Sequence, residues 1–172
     1  MKRLQEPEAS ERSPASAMLL ASGEFSRAAR ALLVETSWVV QKVPHPKATW
    51  LLLGQSWELG LKALLRADGK TVTELAHRNL GHKLRKLISA LESTLSWPAI
   101  WIKIRAASGL PEDEFEDLFD WLAAWHAEPS YSRYVQTGQY DILDPEPLLR
   151  AVEQLQIDGR AITITASKRE NE

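Results

Sequence analysis

The stretch QSWELGLKALLRADG, residues Gln55 to Gly69, lies in the most apolar part of the chain and decides the fold. A helix through this stretch and the residues just before it, drawn at about 100° per residue, is apolar around most of its circumference. Such a helix belongs in the centre of a domain, surrounded by other helices. Its large apolar side chains are those of Trp50, Leu51, Leu52, Trp57, Leu59, Leu61, Leu64 and Leu65.

One polar line interrupts this apolar surface. Gln55, Glu58 and Lys62 follow one another at steps of three and four residues, so their side chains share one face of the helix. If that face meets solvent, the Glu58–Lys62 pair contributes only about 0.2–0.5 kcal/mol. If it meets another helix, the pair belongs to a buried cluster in which an unpaired member is costly. Ser56 and Gly60 form a separate line of small residues, where another helix can approach closely.

The rest of the chain indicates further helices. Apolar side chains recur at three- and four-residue steps, and proline followed by acidic residues marks two helix starts. Segment 98–107 alternates like a strand, but an isolated strand would leave its backbone unpaired, so a helix is favoured there. Segment 160–165, RAITIT, also alternates and has no convincing partner strand. The sequence predicts an all-α, antiparallel up-and-down bundle of about five helices, at 24–41, 46–68, 80–91, from Pro111, and from Asp144 to about Gly159.

Composition bounds the domain and its setting. Residues 1–16 and 167–172 are charged and poor in large apolar side chains, so we expect disorder there and one helical domain over 17–166. The formal net charge of -2 provides no overall basic field for nucleic acid. The chain has no cysteine, and no apolar run approaches the roughly 18 residues that span a bilayer. We therefore expect a cytoplasmic protein without membrane contact.

No motif for a metal ion or a cofactor is found in the sequence. The phosphate-binding loops, the serine hydrolase elbow and the HExxH zinc pattern are all missing. His77 and His82 are five residues apart, a poor spacing for one helix face, and we predict neither a metal site nor a cofactor. Two tryptophan pairs at four-residue spacing, 97 with 101 and 121 with 125, favour packing in the core or in a homodimer.

The order of several short features resembles the HEPN family, helical domains named for nucleotide binding in higher eukaryotes and prokaryotes. In that family the second helix carries Gln, Glu and Lys at this spacing, the third begins with a Gly-His pattern, and an Arg-Tyr pair follows the fourth. The match covers about residues 22 to 158. The positions that carry it are Gln55, Glu58, Lys62, Ala63, Leu64, Leu65, Gly81, His82, Leu84, Arg133 and Tyr134.

The resemblance implies a bundle that is often dimeric, and it raises the question of catalysis. Many HEPN domains look like metal-independent ribonucleases that use an arginine followed by a histidine after four to six residues. Here Arg78 precedes His82 with only three residues between them, so the motif is absent and we favour a protein without catalytic activity. We expect Glu58 to be buried against His82 or Arg133, with Gln55, Lys62 and Tyr134 as the other candidate binding residues.

The expected function is that of a HEPN-like binding or regulatory protein with a nucleotide or RNA ligand. The resemblance connects it with toxin–antitoxin, phage-defence or nucleotidyltransferase systems, and a small nucleotidyltransferase is a candidate partner. One alternative is a metal-independent ribonuclease with a degenerate site built from Arg78, His82 and Arg133. Another is a homodimeric protein-interaction module whose tryptophan faces make the dimer.

Overall fold

The computed structural model describes residues 13–37, 47–77, 79–94, 96–128 and 143–169, and all regular structure in these ranges is helical. The predicted all-α class is confirmed. The described residues form seven helices rather than about five, because a short helix stands in the connector and segment 98–107 is helical. They are α1 (Ala15–Ser37), α2 (Lys47–Ala67), α3 (Val72–Ala76), α4 (Leu84–Leu91), α5 (Trp97–Ser108), α6 (Glu112–Ala127) and α7 (Glu146–Arg169).

Helix α2 is the centre of the domain, as its sequence predicts. It contacts α1, α3, α4, α6 and α7. Trp57 is fully buried, and its indole N–H donates to the Leu148 carbonyl on α7 at 3.2 Å. The ring of Trp57 also packs edge-on against Phe119 of α6, with centroids 4.9 Å apart. The apolar circumference of α2 is therefore covered by other helices.

Small residues let α1, α2 and α7 approach closely. Ser22 and Ser56 each donate a hydroxyl to the other's backbone carbonyl, at 2.7 and 2.8 Å. The buried Gln156 side-chain amide lies 3.0 Å from the Ser22 hydroxyl and 3.3 Å from that of Ser56. A side chain at Gly60 would collide with Leu155. The line formed by Ser56 and Gly60 is a helix contact, as expected from their spacing.

Helices α1 and α7 are packed in opposite directions. Leu19 near the start of α1 packs beside Gly159 of α7, whereas Arg30 further along α1 pairs with Glu153. Rising residue numbers in α1 therefore meet falling numbers in α7. Across the described residues, no helix combines the length and the apolar character needed to cross a membrane.

Three helix limits differ from the prediction. Helix α4 begins at Leu84 instead of residue 80, because residues 79–82 form turns. Helix α1 begins at Ala15 instead of residue 24, directly after Pro14, whose carbonyl accepts from the amide of Ala17. Helix α7 continues through Gly159 to Arg169, so an end near Gly159 is wrong, and RAITIT is helical. Leu19 packs closely where a side chain of residue 159 would project, so a glycine fits at this position inside the helix. A helix pairs the backbone groups of RAITIT internally, which a strand without a partner cannot do.

The connector between α2 and α4 turns the chain back toward α2. Gly69 ends α2 with a φ of 101°, a conformation that favours glycine. Thr71 caps α3 through a reciprocal capping box with Glu74. Gly81, also at positive φ, closes a tight turn, because its amide donates to the carbonyl of His77 at 2.9 Å. This path carries the next residue, His82, to the polar line of α2.

Candidate functional site

A buried carboxylate is the centre of the candidate site. Only 5% of the Glu58 side chain is exposed, and both of its oxygens are engaged. Lys62 Nζ donates to Oε1 at 2.7 Å. His82 Nδ1 lies 2.7 Å and His126 Nε2 lies 2.8 Å from Oε2. We refer to Glu58, Lys62, His82 and His126 as the Glu58 cluster.

Three separate parts of the fold supply this cluster. Glu58 and Lys62 stand one turn apart on α2, His82 comes from the connector before α4, and His126 comes from the last turn of α6. Gly54 leaves room for His126, because a methyl group at Gly54 would collide with the imidazole ring. The close approach of α2 and the imidazole therefore depends on the absence of a side chain at Gly54.

The environment keeps Glu58 ionised. Burial raises the pKa of the carboxyl, but the hydrogen bonds from His126, Lys62 and His82 together outweigh this effect and lower the pKa to about 2. An ionised carboxylate only accepts hydrogen bonds. His82 Nδ1 and His126 Nε2 consequently both carry the hydrogens of these bonds.

The two imidazoles differ sharply in exposure. The side chain of His126 is 2% exposed, whereas that of His82 is 67% exposed, so the cluster opens to solvent on the His82 side. The ring centroids are 5.9 Å apart and the rings are nearly perpendicular. Glu58 thus holds one imidazole inside the fold and another at its surface, an arrangement suited to ligand binding or to proton transfer through His82.

The same atoms form a possible metal-ligand set. One donor atom each from Glu58, His82 and His126 lies within 4.8 Å of the others. The sequence predicts no metal site because the residues come from distant positions, with Glu58 and His126 68 residues apart. The absence of a metal site stays a prediction, and the geometry supplies a set of donor atoms against which it can be tested.

The predicted site residues have different outcomes. Glu58 is buried against His82, as expected, and Lys62 completes the pair on α2. Gln55 is half-buried one turn before Glu58, and it makes no hydrogen bond to the cluster within the described residues. The remaining predicted residues lie outside the described part of the chain: Arg78, Arg133 and Tyr134.

His126 is the functional candidate that the sequence did not reveal. It follows Phe119 by seven residues and Leu122 by four, so it lies on the buried face of α6. A histidine on an otherwise apolar face needs a polar partner, and this requirement was the available indication. The identity of the partner depends on tertiary packing alone.

Comparison with known proteins gives no relative for this chain: no protein-family model matches it, and neither does any curated protein or solved structure.

Proposed function

We propose that this protein is a HEPN-like helical binding protein whose ligand is RNA or a nucleotide. Two findings support the proposal. The described residues are all helical. Glu58, Lys62 and His82, which carry the resemblance to that family, lie together in one cluster although they come from two elements. This grouping supports the proposal.

The position of His82 carries the proposal. Its Nδ1 is held by Glu58, while the rest of the ring is exposed just before α4 begins. The next exposed side chains, Lys83 and Lys86, are both basic. Lys83 is the N-cap of α4 and makes no side-chain capping bond, so its side chain leaves the positive end of the helix dipole uncapped. An imidazole, two ammonium groups and a helix N-terminus together favour a phosphate ligand.

Fluorescence anisotropy with a labelled single-stranded RNA tests this proposal. Lys86→Ala is expected to weaken binding several-fold and to reduce the slope of log affinity against log salt by about 0.7 for each phosphate group that the variant no longer binds. Lys103→Ala removes the same charge from an exposed position on α5 and serves as the control. Equal binding by both variants, or no saturable binding of RNA or of a fluorescent nucleotide by the wild type, would contradict the proposal.

A metal-independent ribonuclease is the second candidate, and one observation favours it. Glu58 fixes His82 through Nδ1, which directs the other ring nitrogen away from the carboxylate. A carboxylate that orients an imidazole is the usual way to prepare a histidine as a general acid or base. In this mechanism His82 would accept the proton of a ribose 2′-hydroxyl as that oxygen attacks the adjacent phosphorus. The bond from phosphorus to the 5′-oxygen of the next nucleotide breaks, that oxygen takes a proton from solvent, and a 2′,3′-cyclic phosphate remains.

Cleavage of RNA in the presence of EDTA distinguishes the two candidates. If the ribonuclease is correct, wild-type protein cleaves RNA, and His82→Ala lowers the rate by about 10²–10⁴. His77→Ala is the matched control, since His77 is also exposed in the connector and makes no contact with Glu58. Absence of cleavage by wild-type protein that still binds RNA would leave the binding function alone.

We also propose that the protein forms a homodimer and that it is a candidate partner of a small nucleotidyltransferase, as the resemblance implies. Support for a dimer comes from a groove between α1 and α7, flanked by the exposed side chains of Leu20 and Ile164. Large apolar side chains next to one another at a surface are typical of protein contacts. A second copy of the chain is the occupant that we propose for this groove.

A further inference from the structure

We infer that Glu58, His82 and His126 form a binding site for a divalent transition-metal ion. The inference comes from the donor atoms themselves: Glu58 Oε2, His82 Nδ1 and His126 Nε2 all lie within 4.8 Å of one another. It is independent of the proposed RNA or nucleotide ligand. It assigns to the cluster a chemistry that neither the sequence patterns nor the family resemblance implies.

The donor set selects the class of ion. Two imidazole nitrogens and one carboxylate oxygen suit Zn²⁺, Co²⁺, Ni²⁺ or Fe²⁺, whereas Ca²⁺ and Mg²⁺ require sites built mainly from oxygen. Three protein ligands leave one position of a tetrahedral ion for water or another ligand. The exposed side of the cluster is at His82, so that position faces solvent.

The geometry requires an adjustment of the exposed side chain. The two histidine nitrogens now lie 2.7 and 2.8 Å from Oε2, as in hydrogen bonds, and the donor atoms lie within 4.8 Å of one another. Ligands at about 2.0–2.1 Å from a tetrahedral ion are separated by about 3.3 Å, so each nitrogen moves roughly half an ångström away from Oε2 and the two nitrogens come up to about 1.5 Å closer together. The exposed His82 makes most of this movement, because His126 is buried.

Lys62 influences both the mode and the strength of binding. Its ammonium group holds Oε1, so Glu58 has Oε2 available and would bind the ion through one oxygen. The ammonium charge also repels a cation, and the ion replaces the two hydrogens that the imidazoles donate. Binding is therefore expected to be moderate.

The full chain is first treated with a chelator to remove any metal, and the chelator is then removed. Titration of this protein with Zn²⁺ in a calorimeter tests the inference. Co²⁺ serves as a second probe, because a tetrahedral site with nitrogen and oxygen ligands gives a characteristic visible absorption. We expect one ion per chain. His82→Ala should weaken Zn²⁺ binding at least about ten-fold and abolish the Co²⁺ absorption.

His77→Ala is the matched control and should bind both ions as the wild type does. Because His82 is largely exposed, its alanine variant should retain the helical circular dichroism of the wild type, and this is measured in the same samples. Failure of the wild type to bind Zn²⁺ saturably would overturn the inference. Equal Zn²⁺ affinity in wild type and His82→Ala would overturn it as well, since the ion would then be bound elsewhere.

Discussion

Replacing Glu58 with glutamine tests whether the buried carboxylate organises its end of the bundle. The change keeps the size of the side chain and removes its charge. One oxygen of Glu58 accepts from Lys62, and the other accepts from His82 and His126. A glutamine amide has a single acceptor oxygen and two N–H donors, so it can satisfy Lys62 and both imidazoles only if each imidazole moves its hydrogen to the other ring nitrogen. In every arrangement the Lys62 ammonium loses its carboxylate partner.

Two estimates of the destabilisation agree. A hydrogen bond to a charged group contributes about 1.5–3 kcal/mol, and the variant removes at least one such bond while the others become neutral. Separately, the pKa of Glu58 falls from 4.5 to about 2 on folding, against the opposing effect of burial. At about 1.4 kcal/mol per pKa unit this shift corresponds to about 3 kcal/mol. We expect the free energy of unfolding to fall by about 3 kcal/mol.

Urea denaturation at pH 7 with EDTA, followed by circular dichroism, measures this destabilisation. Glu92→Gln, at the exposed end of α4, is the control and should change the free energy of unfolding by less than about 0.5 kcal/mol. The folded-state pKa of Glu58 is depressed, so its contribution is present above pH 4.5 and disappears as the pH falls toward 2. The difference between wild type and Glu58→Gln should shrink over that interval. A destabilisation under about 1 kcal/mol, or a difference independent of pH, would refute the reasoning.

Two further predictions concern packing and assembly. Gly54→Ala should destabilise the protein by about 1–3 kcal/mol in urea denaturation, because the methyl group displaces His126. Gly23→Ala, where the nearest atom is the flexible end of an arginine, should instead be neutral or stabilising by up to about 1 kcal/mol, and equal destabilisation by both changes would contradict the packing argument. Leu20→Asp and Ile164→Asp should each convert the proposed dimer to a monomer in sedimentation velocity, and a wild-type monomer at high concentration would contradict the dimer.

Local patterns in the sequence are sufficient for the central helix and for half of the site. The apolar circumference of α2 predicts its burial because helix geometry fixes which side chains share a face. Thr71 and Thr73 are both possible caps by residue type and position, and the observed capping box belongs to Thr71. Glu58 and Lys62 are linked by a single helical turn, so their contact follows from spacing. The choice between a solvated and a buried pair requires the family resemblance.

Features that depend on distant packing are not predictable in the same way. His126 meets Glu58 across 68 residues, and no local spacing encodes that contact. RAITIT alternates as a strand would, yet its backbone is paired within α7. Glycine commonly ends a helix, but at Gly159 the missing side chain leaves room for Leu19. A partner from another helix determines the contact of His126 and the role of Gly159. The helical conformation of RAITIT follows from the continuation of α7.

The serine contact between α1 and α2 has a consequence for how the helices align. Ser22, Ser56 and Gln156 satisfy one another only at the observed offset of the three helices. Sliding α1 by one turn, about 5.4 Å, would move Ser22 out of its reciprocal bonds with Ser56 and would put Met18 or Arg30 in place of one of the two serines, Ser22 and Ser26, that contact Gln156. An apolar contact of the same size would tolerate such a shift at little cost. The three residues therefore act as a register mark that distinguishes one alignment of the bundle from its near neighbours.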